Sequence, residues 1–241
     1  HAEYLECQLE VDQAIARCLA NSSFINGPEV LNFEQQWAEY TNSPACAGVS
    51  SGTSALMLAL LAVGVEPGDE VIVPTMSFIA TAEVVSQIGA VPVFVDIELD
   101  TLNLDLDQVE KVLENDPEIR VITFAHVLGN PPNMNRLMEL VNKYNLILLE
   151  DCCDALGSTY NDIPLGSFGE MASCSFYPAH HITMGEGGFV SCKTKQQEDI
   201  LRSFREWGRG CYCVGPKANT LKCGTCKNRF SNWIPSLPDE I

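Results

Sequence analysis

Leu146-Ile147-Leu148-Leu149-Glu150-Asp151 is a run of aliphatic side chains closed by two carboxylates. An apolar run of this length reads as a strand buried on both faces, with its acids at the strand's exit. Upstream the pattern alternates. Asn133 to Tyr144 has helical spacing, Arg120 to Phe124 reads as a strand and Leu106 to Leu113 as a helix. Pro92 to Val95 is a strand, Ala80 to Gln87 a helix, and Glu70 to Val73 a short strand after the turn Pro67-Gly68-Asp69. Strands separated by helices of these lengths predict an α/β fold: a mostly parallel sheet covered by helices on both faces. Downstream, Phe189 to Cys192 and Gln196 to Trp207 add a strand and a helix.

Nearer the start, residues 3 to 20 place Leu5, Leu9, Ile15, Cys18 and Leu19 at roughly helical spacing. Pro28 suits the first turn of a second helix. Ala55 to Leu61 is an apolar helical run. After Gly208 the texture changes to glycines, prolines and cysteines without periodicity. The chain thus divides into an N-terminal helix and arm (1–28), a large α/β domain (29–209) and a cysteine-rich irregular segment with a tail (210–241).

The 241 residues, 46% hydrophobic and 19% charged, suffice for one large domain with a buried core. Lys and Arg total 14 against 32 Asp and Glu, a formal charge of -18. No stretch supplies the basic face that phosphate neutralisation needs, which excludes nucleic acid as the expected partner. No apolar run of about 18 residues indicates a membrane span, and the acidic opening is unlike a signal peptide. A cytoplasmic protein is expected. Of the 11 cysteines, Cys7, Cys18, Cys46, Cys174 and Cys192 read as scattered buried thiols. Adjacent Cys152-Cys153 and the group Cys211, Cys213, Cys223, Cys226 are denser, and in a reducing compartment such a group suggests metal before disulfide.

Three constellations could carry chemistry. Gly48-Val49-Ser50-Ser51-Gly52-Thr53-Ser54 precedes a helix; it fits a phosphate seat of backbone N–H groups and hydroxyls, or an ordinary capping turn. Asp151 at a strand end points into the crevice where α/β sheets bind ligands, or caps the next helix. Phe78 in Pro74-Thr75-Met76-Ser77-Phe78-Ile79 could stack on a flat ring; taken alone, it reads better as core packing.

These features, together with Ser175-Phe176-Tyr177-Pro178-Ala179-His180-His181-Ile182-Thr183-Met184-Gly185-Glu186-Gly187-Gly188, resemble the DegT/DnrJ/StrS sugar aminotransferase family of fold-type I pyridoxal-phosphate enzymes, from Gly27 to Gly208. The resemblance implies that Gly52, Thr53, Ser54 and Ser175 hold the cofactor phosphate. It further implies that Phe78 stacks on the ring, Asp151 pairs with the pyridine nitrogen and Asp154 lies near the ring hydroxyl. It also implies a homodimer and a small C-terminal domain largely absent from this chain. One residue departs: where the family has its cofactor lysine, this chain has His180. Imidazole cannot make the lysine's covalent link but can move a proton near neutral pH. The cofactor is therefore expected as pyridoxamine phosphate, and the reaction as dehydration rather than transamination. His181 is expected to be structural.

The same histidine and its flanks resemble one subgroup, the iron–sulfur CDP-4-keto-6-deoxyglucose 3-dehydrases. Cys153 and Cys211 have 57 residues between them, and Cys211-Tyr212-Cys213 follows, as in that subgroup's [2Fe–2S] ligand set. The fourth ligand departs: nine residues intervene between Cys213 and Cys223 and twelve between Cys213 and Cys226, more than in the subgroup's step. Cys226 is favoured by its flank Thr225-Cys226-Lys227-Asn228-Arg229-Phe230. Zinc held by Cys211, Cys213, Cys223 and Cys226 is the alternative. The implied activity is C3 dehydration and deoxygenation of a nucleotide-linked 4-keto-6-deoxyhexose, with a CDP-sugar favoured, in dideoxysugar and O-antigen formation. An NAD(P)H-dependent flavin/iron–sulfur reductase would be a partner and no membrane is involved. The competing readings are an aminotransferase, a cluster-free 3-dehydratase of the same family, and a non-enzymatic zinc-binding relative.

Overall fold

The computed structural model describes residues 2–208. Cys211, Cys213, Cys223 and Cys226, and with them the proposed segment 210–241, lie outside the described residues. Two helices lead in, α1 (Ala2–Ala20) and α2 (Pro28–Tyr40), the latter with Pro28 in its first turn. There follow β1 (Ala45–Val49), α3 (Gly52–Ala62), β2 (Glu70–Pro74), α4 (Ala80–Gln87), β3 (Val91–Val95), α5 (Leu106–Asn115) and β4 (Val121–Ala125). The order continues with α6 (Met134–Tyr144), β5 (Ile147–Asp151), the hairpin β6 (Thr159–Tyr160) and β7 (Ile163–Pro164), β8 (Met171–Ser175), β9 (Gly188–Cys192) and α7 (Lys195–Arg205).

Seven strands form one sheet in the order β1-β9-β8-β5-β4-β2-β3. From β8 to β3 every pairing is parallel; β9 is antiparallel to both β8 and β1. The mostly parallel α/β fold expected from the sequence is the fold observed. Alternation along each strand sends side chains to two cores. Val71, Val73, Leu149, Met171 and Val190 meet α3, α4 and α7 on one face. Ile72, Ile122, Phe124 and Leu148 meet α5 and α6 on the other, and α2 covers that face beyond them, where Phe33 and Trp37 pack on Cys46, Phe176 and Phe189. Helix starts are capped by short polar side chains: Asp105 on α5, Asn133 on α6, and Thr194 with a capping box on α7.

Two expectations are corrected. β1 (Ala-Cys-Ala-Gly-Val) and β8 (Met-Ala-Ser-Cys-Ser) are strands that the sequence pattern did not reveal. Their small residues lack the β-branched signature, and they are small because α3 lies directly against β8 and β1. Of the five cysteines expected in the core, Cys46, Cys174 and Cys192 are buried, Cys18 is half-buried and Cys7 is exposed. Burial pushes the Cys174 and Cys192 thiols up to about 12. Leu5, Leu9, Ile15 and Leu19 of α1 are also exposed. No described helix is long and apolar enough to cross a membrane.

One buried charge network ties α2, β1 and α7 together. Glu34 is 4% exposed and Arg202 6%. Glu34 Oε1 accepts from the Gly48 N–H and from Arg205 Nη1, both at 2.8 Å, and Oε2 accepts from Arg202 Nη2. Arg205 also donates to the Gly48 carbonyl, and Arg202 Nε to Glu198 at 2.7 Å. Deleting one member of such a pair leaves an uncompensated buried charge, costing about 3–5 kcal/mol. Glu34→Ala is therefore expected to lower the urea midpoint by that equivalent with an unchanged m-value, measured by equilibrium denaturation.

Candidate active site

β1, β2, β4, β5 and β8 all run the same way, so their exits share one edge of the sheet. There the chain places Ser51–Ser54 after β1, Phe78 after β2, His126 after β4, Asp151–Asp154 at the end of β5, and Ser175–His180 at the end of β8. An α/β sheet offers its ligand crevice at this edge.

The phosphate-seat reading has a steric basis. Ser51 caps α3, its Oγ accepting from the Ser54 N–H at 3.0 Å. That takes one of the first-turn N–H groups, which have no partner within the helix; the others face outward with the positive helix end. Gly52 is buried against Ser175. A Cβ on Gly52 would fall 2.7 Å from Ser175 Cβ and 3.1 Å from both Ser175 Oγ and Cys153 Sγ. A Cβ on Gly188 would fall 2.7 Å from the Ser51 carbonyl. Only glycine permits these approaches, which bring the start of α3, the end of β8 and Cys153 into one cradle. A phosphate suits it: the first-turn N–H groups of α3 and the Ser175 hydroxyl border it, and neither side chain nearest to a Gly52 Cβ, Ser175 or Cys153, is a carboxylate.

Asp151 lies at the cradle's side, 5% exposed. Its Oδ1 accepts from the Cys153 N–H at 3.0 Å and from Ser173 Oγ at 3.2 Å. Ser173 reaches it because the two are register partners on β8 and β5. The carboxylate so held stands at the crevice edge, where a carboxylate could face a protonated ring nitrogen. Phe78 is 74% exposed on the loop between β2 and α4. The core-packing expectation for it is overturned, because the buried face of α4 begins only at Ala80 and Thr81. A free ring face at the crevice is what stacking requires.

His180 follows β8, its backbone N–H bonded to the Tyr177 carbonyl at 3.0 Å. Its Nδ1 lies 3.0 Å from Asp154 Oδ1, with side-chain exposures of 18% and 48%. Neither composition nor spacing exposed this pair; only two elements meeting at the edge bring the residues together. Cys153 is half-buried, and burial, then the neighbouring Asp151 charge, pushes its thiol far above the usual range. A free thiol there stays protonated; a metal must displace that proton to bind it.

One pair escaped the sequence reading altogether. Glu150, 1% exposed, accepts four hydrogen bonds. His126 Nε2 and the Gly166 N–H reach Oε2 at 3.0 and 2.9 Å; the Phe168 and Gly169 N–H groups reach Oε1 at 2.8 and 2.6 Å. The clue was adjacency: Glu150 and Asp151 are consecutive strand residues and must face opposite sides of the sheet. Cys152 lies close to His126 and Glu150, yet a carboxylate already accepting four donors is a structural clamp rather than a metal ligand. A cavity of ≈220 Å³ lies on that far side, against Cys152, Leu165, Cys174 and Phe189. It is separate from the open crevice edge where the polar groups converge.

A model of the DegT/DnrJ/EryC1/StrS aminotransferase family matches residues 6–224. The chain is 40% identical to the lipopolysaccharide biosynthesis protein RfbH of Salmonella typhimurium, over 97% of this chain and 52% of that protein. It is 39% identical to the dTDP-4-dehydro-2,6-dideoxy-D-glucose 3-dehydratase of Saccharopolyspora spinosa, over 88% and 46%. Among solved structures it is similar to the E. coli GDP-4-keto-6-deoxy-D-mannose-3-dehydratase with bound hydrated pyridoxal phosphate. That similarity has a TM-score of 0.77 at 32% identity, over 82% of this chain and 52% of that one. The chain spans about half the length of the curated relatives it matches. Gly52→Ala fills the cradle with a methyl group; it is expected to weaken binding of pyridoxal phosphate about tenfold or more, a change of at least about 1.4 kcal/mol. Equilibrium dialysis measures it, with circular dichroism reporting that the fold is kept.

Proposed function

The chain belongs to the DegT/DnrJ/EryC1/StrS aminotransferase family, and we propose that within it the chain is a pyridoxamine-phosphate-dependent dehydrase. The substrate would be a nucleotide-linked 4-keto-6-deoxyhexose, a CDP-sugar for preference, losing its C3 hydroxyl on the way to a dideoxysugar of surface polysaccharide. The observation that carries this reading is His180, an imidazole where the family places its cofactor lysine. The described lysines lie elsewhere: Lys111 on α5 and Lys143 on α6, the latter bonded to Glu110, and Lys193 and Lys195 near the start of α7. Pyridoxamine phosphate supplies an amine that condenses with the 4-keto group and a ring that takes up electrons.

The chain's own residues do the rest. Gly52, Thr53, Ser54 and Ser175 would hold the phosphate, Asp151 would keep the pyridine nitrogen protonated and Phe78 would cover one ring face. His180 takes the proton whose removal lets the C3 hydroxyl depart, the two leaving together as water. Cys153, Cys211, Cys213 and Cys226 would hold a [2Fe–2S] cluster, and two electrons from an NAD(P)H-dependent flavin/iron–sulfur reductase would complete the deoxygenation. Cys153 stands beside the phosphate cradle, touching the space a Gly52 Cβ would occupy; a cluster on it would lie next to the chemistry. The protein would work as a homodimer. The names of two relatives support the chemistry: one is a 3-dehydratase and the other a lipopolysaccharide biosynthesis protein.

Metal analysis with a visible spectrum tests this proposal, with and without added pyridoxamine phosphate. The expected result is a brown protein with about two irons and two acid-labile sulfides per chain. Treating the protein loaded with pyridoxal phosphate with borohydride should leave no lysine-linked cofactor. A colourless zinc protein would overturn the electron-transfer part, leaving a cluster-free 3-dehydratase. Cofactor fixed to a lysine would overturn the role of His180 and restore the aminotransferase reading.

A further inference from the structure

We propose that Asp154 is a positioning residue that fixes the tautomer of His180, so that Nε2 is the atom that takes and returns the proton. This deepens the dehydrase reading and rests on it for the use of that proton; the tautomer itself does not depend on any cofactor.

A neutral imidazole carries one N–H, and an ionised carboxylate has only lone pairs to offer. With His180 Nδ1 3.0 Å from Asp154 Oδ1, the proton must sit on Nδ1, and the lone pair is left on Nε2. The hydrogen bond made by one ring nitrogen sets the state of the other. In water a free histidine side chain favours the opposite tautomer, with the proton on Nε2, so the carboxylate inverts the intrinsic preference. Three further features agree. The imidazole is the more buried partner and Asp154 the more exposed one, 18% against 48%, so the carboxylate stands on the solvent side and the ring inside. The backbone bond from the His180 N–H to the Tyr177 carbonyl and the edge-on contact with the Tyr177 ring, 6.4 Å between centroids, limit the ring's swing. Among the described residues Nε2 makes no hydrogen bond, and it is not among the buried atoms lacking a partner. It is an accessible, unspent lone pair at the crevice edge.

When Nε2 accepts a proton the ring becomes a cation with both nitrogens protonated, and Asp154 stays ionised beside it; no further proton moves. The arrangement follows the logic of a carboxylate–imidazole pair in acyl transfer, where the acid orients the base and does not itself take the proton. The resemblance to known enzymes assigns the Asp154 position to the neighbourhood of a ring hydroxyl; here its Oδ1 is engaged by the imidazole.

The test reads ring nitrogens directly. The whole chain is labelled with ¹⁵N-histidine, and the His180 signals are identified by their loss in His180→Gln. Spectra are recorded without cofactor at a pH well above the ordinary imidazole range of about 6.5. The native protein should show Nδ1 as the protonated, pyrrole-type nitrogen and Nε2 as the unprotonated, pyridine-type one. Asp154→Ala should exchange the two assignments. Asp154→Asn, whose amide oxygen can still accept from Nδ1–H, should keep the native assignment or lose only part of it. A purely structural role for Asp154 would leave the ratio unmoved. Protonated Nε2 in the native chain, or an unmoved tautomer in Asp154→Ala, would overturn the proposal. An exchanged tautomer in a chain that fails to bind pyridoxamine phosphate would sink the functional reading and leave the Asp154 assignment standing. Bound cofactor with an unmoved tautomer would do the reverse.

Discussion

A single buried carboxylate holds the working end of this sheet in place. Glu150 sits at the exit of β5 with its side chain on the face away from the crevice, where His126 and three backbone N–H groups from the 166–169 loop close around it. An unpaired carboxylate at that depth would be costly to bury; four donors make it tolerable and tie three chain segments to one point. Strand alternation then does the rest. With Glu150 locked to the far face, Asp151 faces the near one, where the Cys153 N–H and Ser173 Oγ fix its orientation. The backbone is pinned as well, since the His126 N–H donates to the Asp151 carbonyl. Residues on the far face of the sheet thus help to decide where the acid at the crevice edge points.

The second constraint is closeness. Helix α3 must bring its N-terminus against the end of β8, which requires small residues where they meet: Gly52, Gly188, Ser173 and Ser175. That requirement explains which parts of the fold were legible. The parallel strands β2 to β5 sit between two helical layers and need bulky aliphatic residues, so hydrophobic pattern alone located them. β1 and β8 lie under α3, where bulk is excluded; their alanines, cysteines and serines carry no strand signal although β8 is wholly buried. The alternation of the central elements was enough to give the α/β class, because one missing strand on each side does not change the crossover pattern.

The candidate site divides along similar lines. Gly52 to Ser54 and Asp151 stand in recognisable local contexts, the entry of a helix and the exit of an apolar strand, whereas Ser175 and His180 follow the unsignalled strand β8 and stood out only through the family resemblance of their flanking residues. Their assembly at one edge follows from the shared direction of the strands. Phe78 misled when considered alone because an aromatic after a strand looks like core, and only the late start of α4's buried face leaves it in the open. The partnerships Glu150–His126 and Asp154–His180 span 24 and 26 positions; no local pattern encodes them. Cys153 was singled out by spacing to cysteines far along the chain, and its position beside the phosphate cradle is information that spacing could not contain.

His180 and Asp154 make chemical sense as a pair and less sense apart. A lysine at position 180 would carry its amine into the reach of the Asp154 carboxylate, and an adjacent negative charge favours the ammonium form. An ammonium has no lone pair with which to attack a carbonyl, so the acid would oppose the covalent role that the family gives its lysine. Imidazole reverses the sign of that effect. It needs no covalent bond, and the carboxylate that would disarm an amine instead holds one ring nitrogen and leaves the other free. In the proposed reaction the same acid would also shelter the cation formed once the proton is taken, with both partners already in hydrogen-bond contact. On the proposed reading, His180 and Asp154 therefore act as one unit, held 3.0 Å apart at the crevice edge.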